Sequence, residues 1–257
     1  MENHHLAEFE RLAAKHKLFA KLSSSEEQRL RDVVSHMILA TDMAKHGMLM
    51  AKITECLADE SYNPLASSEG VNLMLQIALK CADISNQARP WAVANRWNVA
   101  VYAEFYHEGD LDRGSGRKVN ALFDRETNNI AQSTVGFIAY LVAPLYQTYV
   151  DIMTRCAQLD AQIDSTAVEE CLVFLHKNKE RYQLLAKGEF VDLDEMEEEL
   201  FYTFHQPEVR TTVSPSKLLL KQLPGVNGAF QSDERKRLYH RIKMSKVPAE
   251  TRRPSSA

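Results

Sequence analysis

The chain has 257 residues, 45% of them hydrophobic, enough to bury a sizeable core in one large domain with appendages. A formal net charge of −4 argues against the basic surface that duplex DNA or an anionic membrane selects, leaving small molecules and proteins as partners and no nucleic acid. Cys56, Cys81, Cys156 and Cys171 are widely spaced, with no Cys-x-x-Cys pair and no secretory signal ahead of them, so reduced thiols and a cytoplasmic location are expected.

Helical periodicity runs from the start to about Lys187, and alternating β-branched runs bounded by hairpin turns are hard to find, so the fold class is all-α. In "ENHH", the adjacent His4 and His5 point to different sides of a helix. "SSSEEQRLRDVVSHMILATDMAKH" predicts a helix capped by Ser24 or Ser25, with Glu26 and Glu27 at its positive end and Val33, Met37, Ile38 and Thr41 on one face. His36 and His46 fall on that helix ten residues apart, each reading as a core or surface histidine. A further helix covers about 71–85, and Pro90 marks the break after it. "WAVANRWNVAVYAEFYHEGD" follows as a helix stopping near Gly109, and "LDRGSGRKVNALFDRETNN" reads as a polar loop leading into a helix over about 129–149. The longest apolar run, "VGFIAYLVAPLY", is shorter than the roughly 20 residues a bilayer requires and contains Pro144, so no membrane span is expected. Two more helices are predicted over 165–187.

Composition shifts after Gly188. The acidic "EFVDLDEMEEEL" and the basic "DERKRLYHRIKMSKVPAETRRPSSA" read as a solvated, poorly ordered tail at 188–257, which could also dock a regulatory partner or a second copy of the chain. The chemistry belongs to 1–187.

One residue there stands out. In "LQIALKCADISN", Asp83 sits between Ala82 and Ile84 in an apolar helical stretch, and a carboxylate shielded from water needs a partner. A metal ligand, an ion pair with an arginine such as Arg89, and a helix-ending residue all fit. Locally the histidines form no metal motif, and no P-loop, dinucleotide fingerprint or Ser-His-Asp pattern is present.

The segments "ENHHLA", "ILATDMAKH", "LKCADISNQARPW", "RWNVAVYAEFYHEGD", "FDRETNNIAQSTVGFIAYLVAPLY" and "NKERYQLL" resemble, in order and spacing, the class I 3′,5′-cyclic-nucleotide phosphodiesterase catalytic domain. The resemblance implies a compact multi-helix domain of the HD type. It also implies two divalent ions, zinc and magnesium or manganese, and hydrolysis of cAMP or cGMP to the 5′-monophosphate by a metal-bound hydroxide. By resemblance Asp83 is a metal ligand, and Glu2 orients metal-bound waters from the second shell. Asp42, Met43 and Asn86 line the pocket, Val101 and Leu122 surround the base, and Phe137 stacks on the purine. Thr134 stands where the family usually carries a glutamine, and a single hydroxyl there should weaken nucleotide binding and blur the choice of base. The family's His-Asn-x-x-His and His-Asp segments lie upstream of "MENHH", so this chain carries no residue matching the proton donor, and alone it is expected to be inactive. The alternative is a catalytically dead relative serving as a helical scaffold or nucleotide-binding protein.

Overall fold

The computed structural model describes residues 1–189, and the acidic and basic stretches from residue 190 onward lie outside the described residues. Eight α-helices and no strand occur among them: α1 Glu2–Lys15, α2 Ser24–Ala40, α3 His46–Ala58, α4 Ser68–Asp83, α5 Trp91–Gly114, α6 Ile130–Phe137, α7 Ala143–Leu159 and α8 Thr166–Lys187. The chain divides into two compact units, one of residues 1–85 with 142–172, the other of 86–141 with the segment from 173 onward.

In the first unit α4 packs on α2 and α7, α1 lies on α2, and α3 lies on α7. The reason is a stripe: Gly70, Leu73, Ile77, Lys80 and Cys81, three and four apart, are the buried residues of α4. Ile77 alone, fully buried, contributes about 1.5–3 kcal/mol of apolar burial. Helix α2 begins with a reciprocal capping box between Ser23 and Glu26, one residue before the expected cap. It ends at Ala40, where the sequence suggested continuation to His46. The Asp42 carboxylate accepts from the Ala44 amide at 2.9 Å, turning the chain so that His46 opens α3 instead.

In the second unit α5 runs on past Gly109 to Gly114. Gly109 is needed for a close approach: a Cβ there would stand 2.0 Å from the Phe123 carbonyl oxygen. The polar segment after α5 is folded back onto it. Arg113 binds Asp124 at 2.5 Å, Arg125 binds Asp110 at 2.5 Å, and the Phe105 and Phe123 ring centroids lie 4.6 Å apart. On α8, which is one helix rather than two, Tyr182 packs against Trp91 with centroids 4.8 Å apart, and the Asn178 amide donates to the Gln87 and Arg89 carbonyls at 2.9 and 2.8 Å.

Between α6 and α7 a wider turn, Ile138–Val142, forms just before Pro144. Proline has no N–H to return to the Tyr140 carbonyl in α register, and the widened turn absorbs that loss. The whole helical run Ile130–Leu159 is the one stretch among the described residues long and apolar enough to cross a membrane. A core helix meets the same criterion, and Ile138, Val142, Leu145, Ile152 and Cys156 have 0% exposure.

Two measurements check this account. Gly109→Ala gains helix propensity but pushes a Cβ into backbone rather than a flexible side chain, so a net loss of about 1–3 kcal/mol is expected in thermal or urea melts. The Asp124 carboxyl is held below its ordinary 3.8, first by the Glu126 N–H and then by Arg113. Its folded-state value being lowered, its contribution is complete above 3.8 and fades as pH falls through the lower folded value. Asp124→Asn should therefore lower the melting temperature at pH 7 and bring the mutant and parent curves together in strong acid.

Candidate functional site

Helix α4 delivers Asp83 as its last residue. The carboxylate is exposed, not shielded by its apolar sequence neighbours, and among the described residues it makes no hydrogen bond or ion pair, with Arg89 or any other group. The need for a buried counter-charge therefore falls away. At roughly 100° per residue, position 83 lies well off the centre of the stripe defined by 70, 73, 77, 80 and 81.

The buried charge of α4 is Lys80, at 0% exposure. Its Nζ donates to the carbonyl oxygens of Ala40 at 3.0 Å, Thr41 at 3.2 Å and Asp42 at 3.2 Å, and lies 3.8 Å from the Met43 Sδ. Burial pushes its pKa below the ordinary lysine value, while the fields of Asp83, Asp42 and Glu2 pull it back up. The three acids predicted for the site in this unit thus lie within the field of one cation without forming an ion pair with it. Around it, His46 is held below its usual pKa by burial and then by the Lys80 charge, and its buried Nδ1 has no hydrogen-bond partner. Cys81 is pushed up to about 12 by burial, so its thiol stays protonated near neutrality and is no nucleophile. Glu2 is half-buried, 3.3 Å from the N-terminal ammonium. Its pKa is lowered by its own backbone amide first and that ammonium second. Met43 is 41% exposed.

The base-side residues lie in the second unit. Asn86 is half-buried in the short turn Ser85–Ala88, Val101 is half-buried on α5, Leu122 is half-buried in the folded-back segment, and Phe137 is half-buried at the end of α6. Thr134 is 1% exposed. Its hydroxyl proton is shared between the Ile130 carbonyl at 2.7 Å and Asn98 Oδ1 at 3.2 Å, and the same Asn98 oxygen accepts from Gln87 Nε2 at 3.1 Å. Position 134 therefore serves an internal polar network. Gln132, exposed two residues earlier, takes no part in it.

Sequence reasoning missed Lys80, Asn98 and Gln87. Lys80 had a readable signal: it falls on the buried three-and-four stripe that the neighbouring aliphatic residues trace. Asn98 and Gln87 had none, because a polar residue on a helix reads as solvent-facing until its neighbours are known.

Two divalent ions do not fit the described residues taken alone. No three His, Cys, Asp or Glu side chains among them converge, and one exposed carboxylate does not hold a divalent ion against water. A cavity of about 1020 Å³ in the first unit, lined by polar residues of α2 and α4 such as Arg29, Asp32, His36 and Asn72, contains none of the predicted site residues.

Residues 1–163 match the family described as 3′5′-cyclic nucleotide phosphodiesterase, and the chain belongs to it. Among its relatives are the 3′,5′-cyclic-AMP phosphodiesterases 4C of Rattus norvegicus and Mus musculus, each 34% identical over 194 residues and 71% of this chain. The alignments cover 33% of the rat protein and 26% of the mouse protein, so this chain spans a third or less of the curated relatives it matches. The solved structure of LmjPDEB1 in complex with IBMX has a TM-score of 0.63 at 24% identity, covering 73% of this chain and 53% of that one, and shows the same all-helical fold.

Thr134→Val keeps the shape but removes the donor to Asn98 and Ile130. It should cost about 1–2 kcal/mol in denaturant melts, whereas Gln132→Ala should leave stability within about 0.5 kcal/mol.

Proposed function

We propose that this chain is part of an enzyme that hydrolyses the cyclic phosphodiester of cAMP, ending a cytoplasmic second-messenger signal. The match of residues 1–163 to the phosphodiesterase family carries the reading, and the cAMP-directed names of its relatives supply the substrate. In this reaction water adds to phosphorus and the P–O3′ bond breaks, leaving the 5′-monophosphate with the proton passed to the 3′ oxygen. Zinc, magnesium and the proton-donating group belong to the proposal for the whole protein, not to the described residues.

Within that reading Asp83 is the acid with free coordinating oxygens, since it makes no hydrogen bond or ion pair among the described residues. By correspondence with the family, Asp42 and Met43 belong to the metal and phosphate side, Asn86 is a polar pocket residue, and Val101, Leu122 and Phe137 belong around the base. Thr134, its hydroxyl engaged internally, leaves the base edge with fewer specific bonds than an amide offers. Losing one such bond, worth about 0.5–1.5 kcal/mol, corresponds to a loss of affinity of up to about tenfold.

Steady-state assays on the whole protein, supplied with magnesium and zinc, should show conversion of cAMP to 5′-AMP, with cGMP turned over less well. Asp83→Ala should lower kcat/KM by about 100-fold or more. Full activity in a folded Asp83→Ala protein would refute the role given to that carboxylate. The 257-residue chain assayed by itself should show no turnover, because its described residues build no metal centre.

A further inference from the structure

We propose that Lys80 is a positioning residue, whose buried ammonium sets the turn that carries Asp42 and Met43 and thereby the phosphate side of the substrate site. The inference rests on the phosphodiesterase reading for its functional consequence and on geometry for the rest.

The last carbonyls of an α-helix have no partner within it. Helix α2 has no basic residue in its last turn to meet them. Lys80, reaching from α4, supplies the missing cation, and its ammonium has three N–H groups for three acceptors: the carbonyls of Ala40, Thr41 and Asp42. No proton is left for a carboxylate. Lys80 is therefore not an ion-pair partner of Asp83, although that acid lies three residues on along the same helix. It acts on Asp42 through the main chain, leaving the Asp42 side chain free to accept from Ala44 at 2.9 Å. It also touches Met43, whose Sδ lies 3.8 Å from Nζ. A lysine serving stability alone would need acceptors anywhere on its surroundings. Here every acceptor, the Met43 sulfur included, belongs to the segment 40–43, at the end of α2 and within the turn whose side chains border the proposed phosphate site.

Lys80→Met removes the charge and all three donors at similar length, and Lys80→Gln keeps two donors without the charge. In the whole protein, assayed well below the melting temperature of each variant, Lys80→Met should raise KM for cAMP by about tenfold or more, with kcat changed by less than about threefold. Lys80→Gln should fall between it and wild type, and it carries the test if Lys80→Met does not fold. A lowered melting temperature with unchanged KM in both variants would overturn the positioning role.

If the wild-type protein shows no turnover, the phosphodiesterase reading fails first, and the geometry is decided separately in the 257-residue chain. There the Met43 methyl resonance should shift in Lys80→Gln and hold still in Lys52→Met, a control that breaks only the exposed ion pair with Glu69. An unmoved Met43 resonance would overturn the proposal.

Discussion

Helix ends leave carbonyl oxygens without partners, and the first unit is organised around satisfying them from a distance. Neither α2 nor α3 has a basic residue in its own last turn. Lys80 closes α2, Arg155 of α7 donates to the carbonyls of Asp59 and Leu57 at 2.7 and 3.3 Å at the end of α3, and the Tyr146 hydroxyl donates to Cys81 at 2.9 Å near the end of α4. Each bond spans at least 38 residues of sequence. A charged donor to carbonyls is worth about 1.5–3 kcal/mol when water is excluded, which applies to buried Lys80; the exposed Arg155 bond and the neutral Tyr146 bond add less, and all three specify which helix ends meet which neighbours.

That arrangement changes the meaning of the acid that first draws the eye. Asp83 does not need rescue from an apolar interior, because the interior face of α4 carries Ile77 and Lys80 while Asp83 ends the helix in the open. The buried charge is the lysine, with Asp83, Asp42 and Glu2 supplying a negative field around it. An exposed carboxylate with uncommitted oxygens and a turn held in place by a caged cation are the two features of this unit on which the proposed phosphate site rests.

Much of this was legible in the residues. The all-α class, the Pro90 break and α5 followed from periodicity and helix-stop signals, and the family from the resemblance of several segments in order and spacing. The errors have physical causes. Ser23-x-x-Glu26 and Ser24-x-x-Glu27 both spell a capping box, so spacing alone could not choose between adjacent registers. Asp42 ends α2 by bonding the Ala44 amide, a local competition that apolar periodicity does not register. Gly109 looked like a stop, but it is an interior helical position whose missing Cβ admits the Phe123 carbonyl. The burial of Thr134 with Asn98 and Gln87 could not be read from the sequence either, because it depends on partners 36 and 11 residues removed from Asn98.

The caged ammonium can be observed directly. With lysine side chains labelled with ¹⁵N at Nζ, protons on exposed ammonium groups exchange with water too fast to give sharp cross-peaks at neutral pH, while a group excluded from water and bonded to three carbonyls exchanges slowly. The account predicts a protected ammonium signal that disappears in Lys80→Gln. A spectrum with no protected lysine signal, or one that survives that substitution, would contradict it.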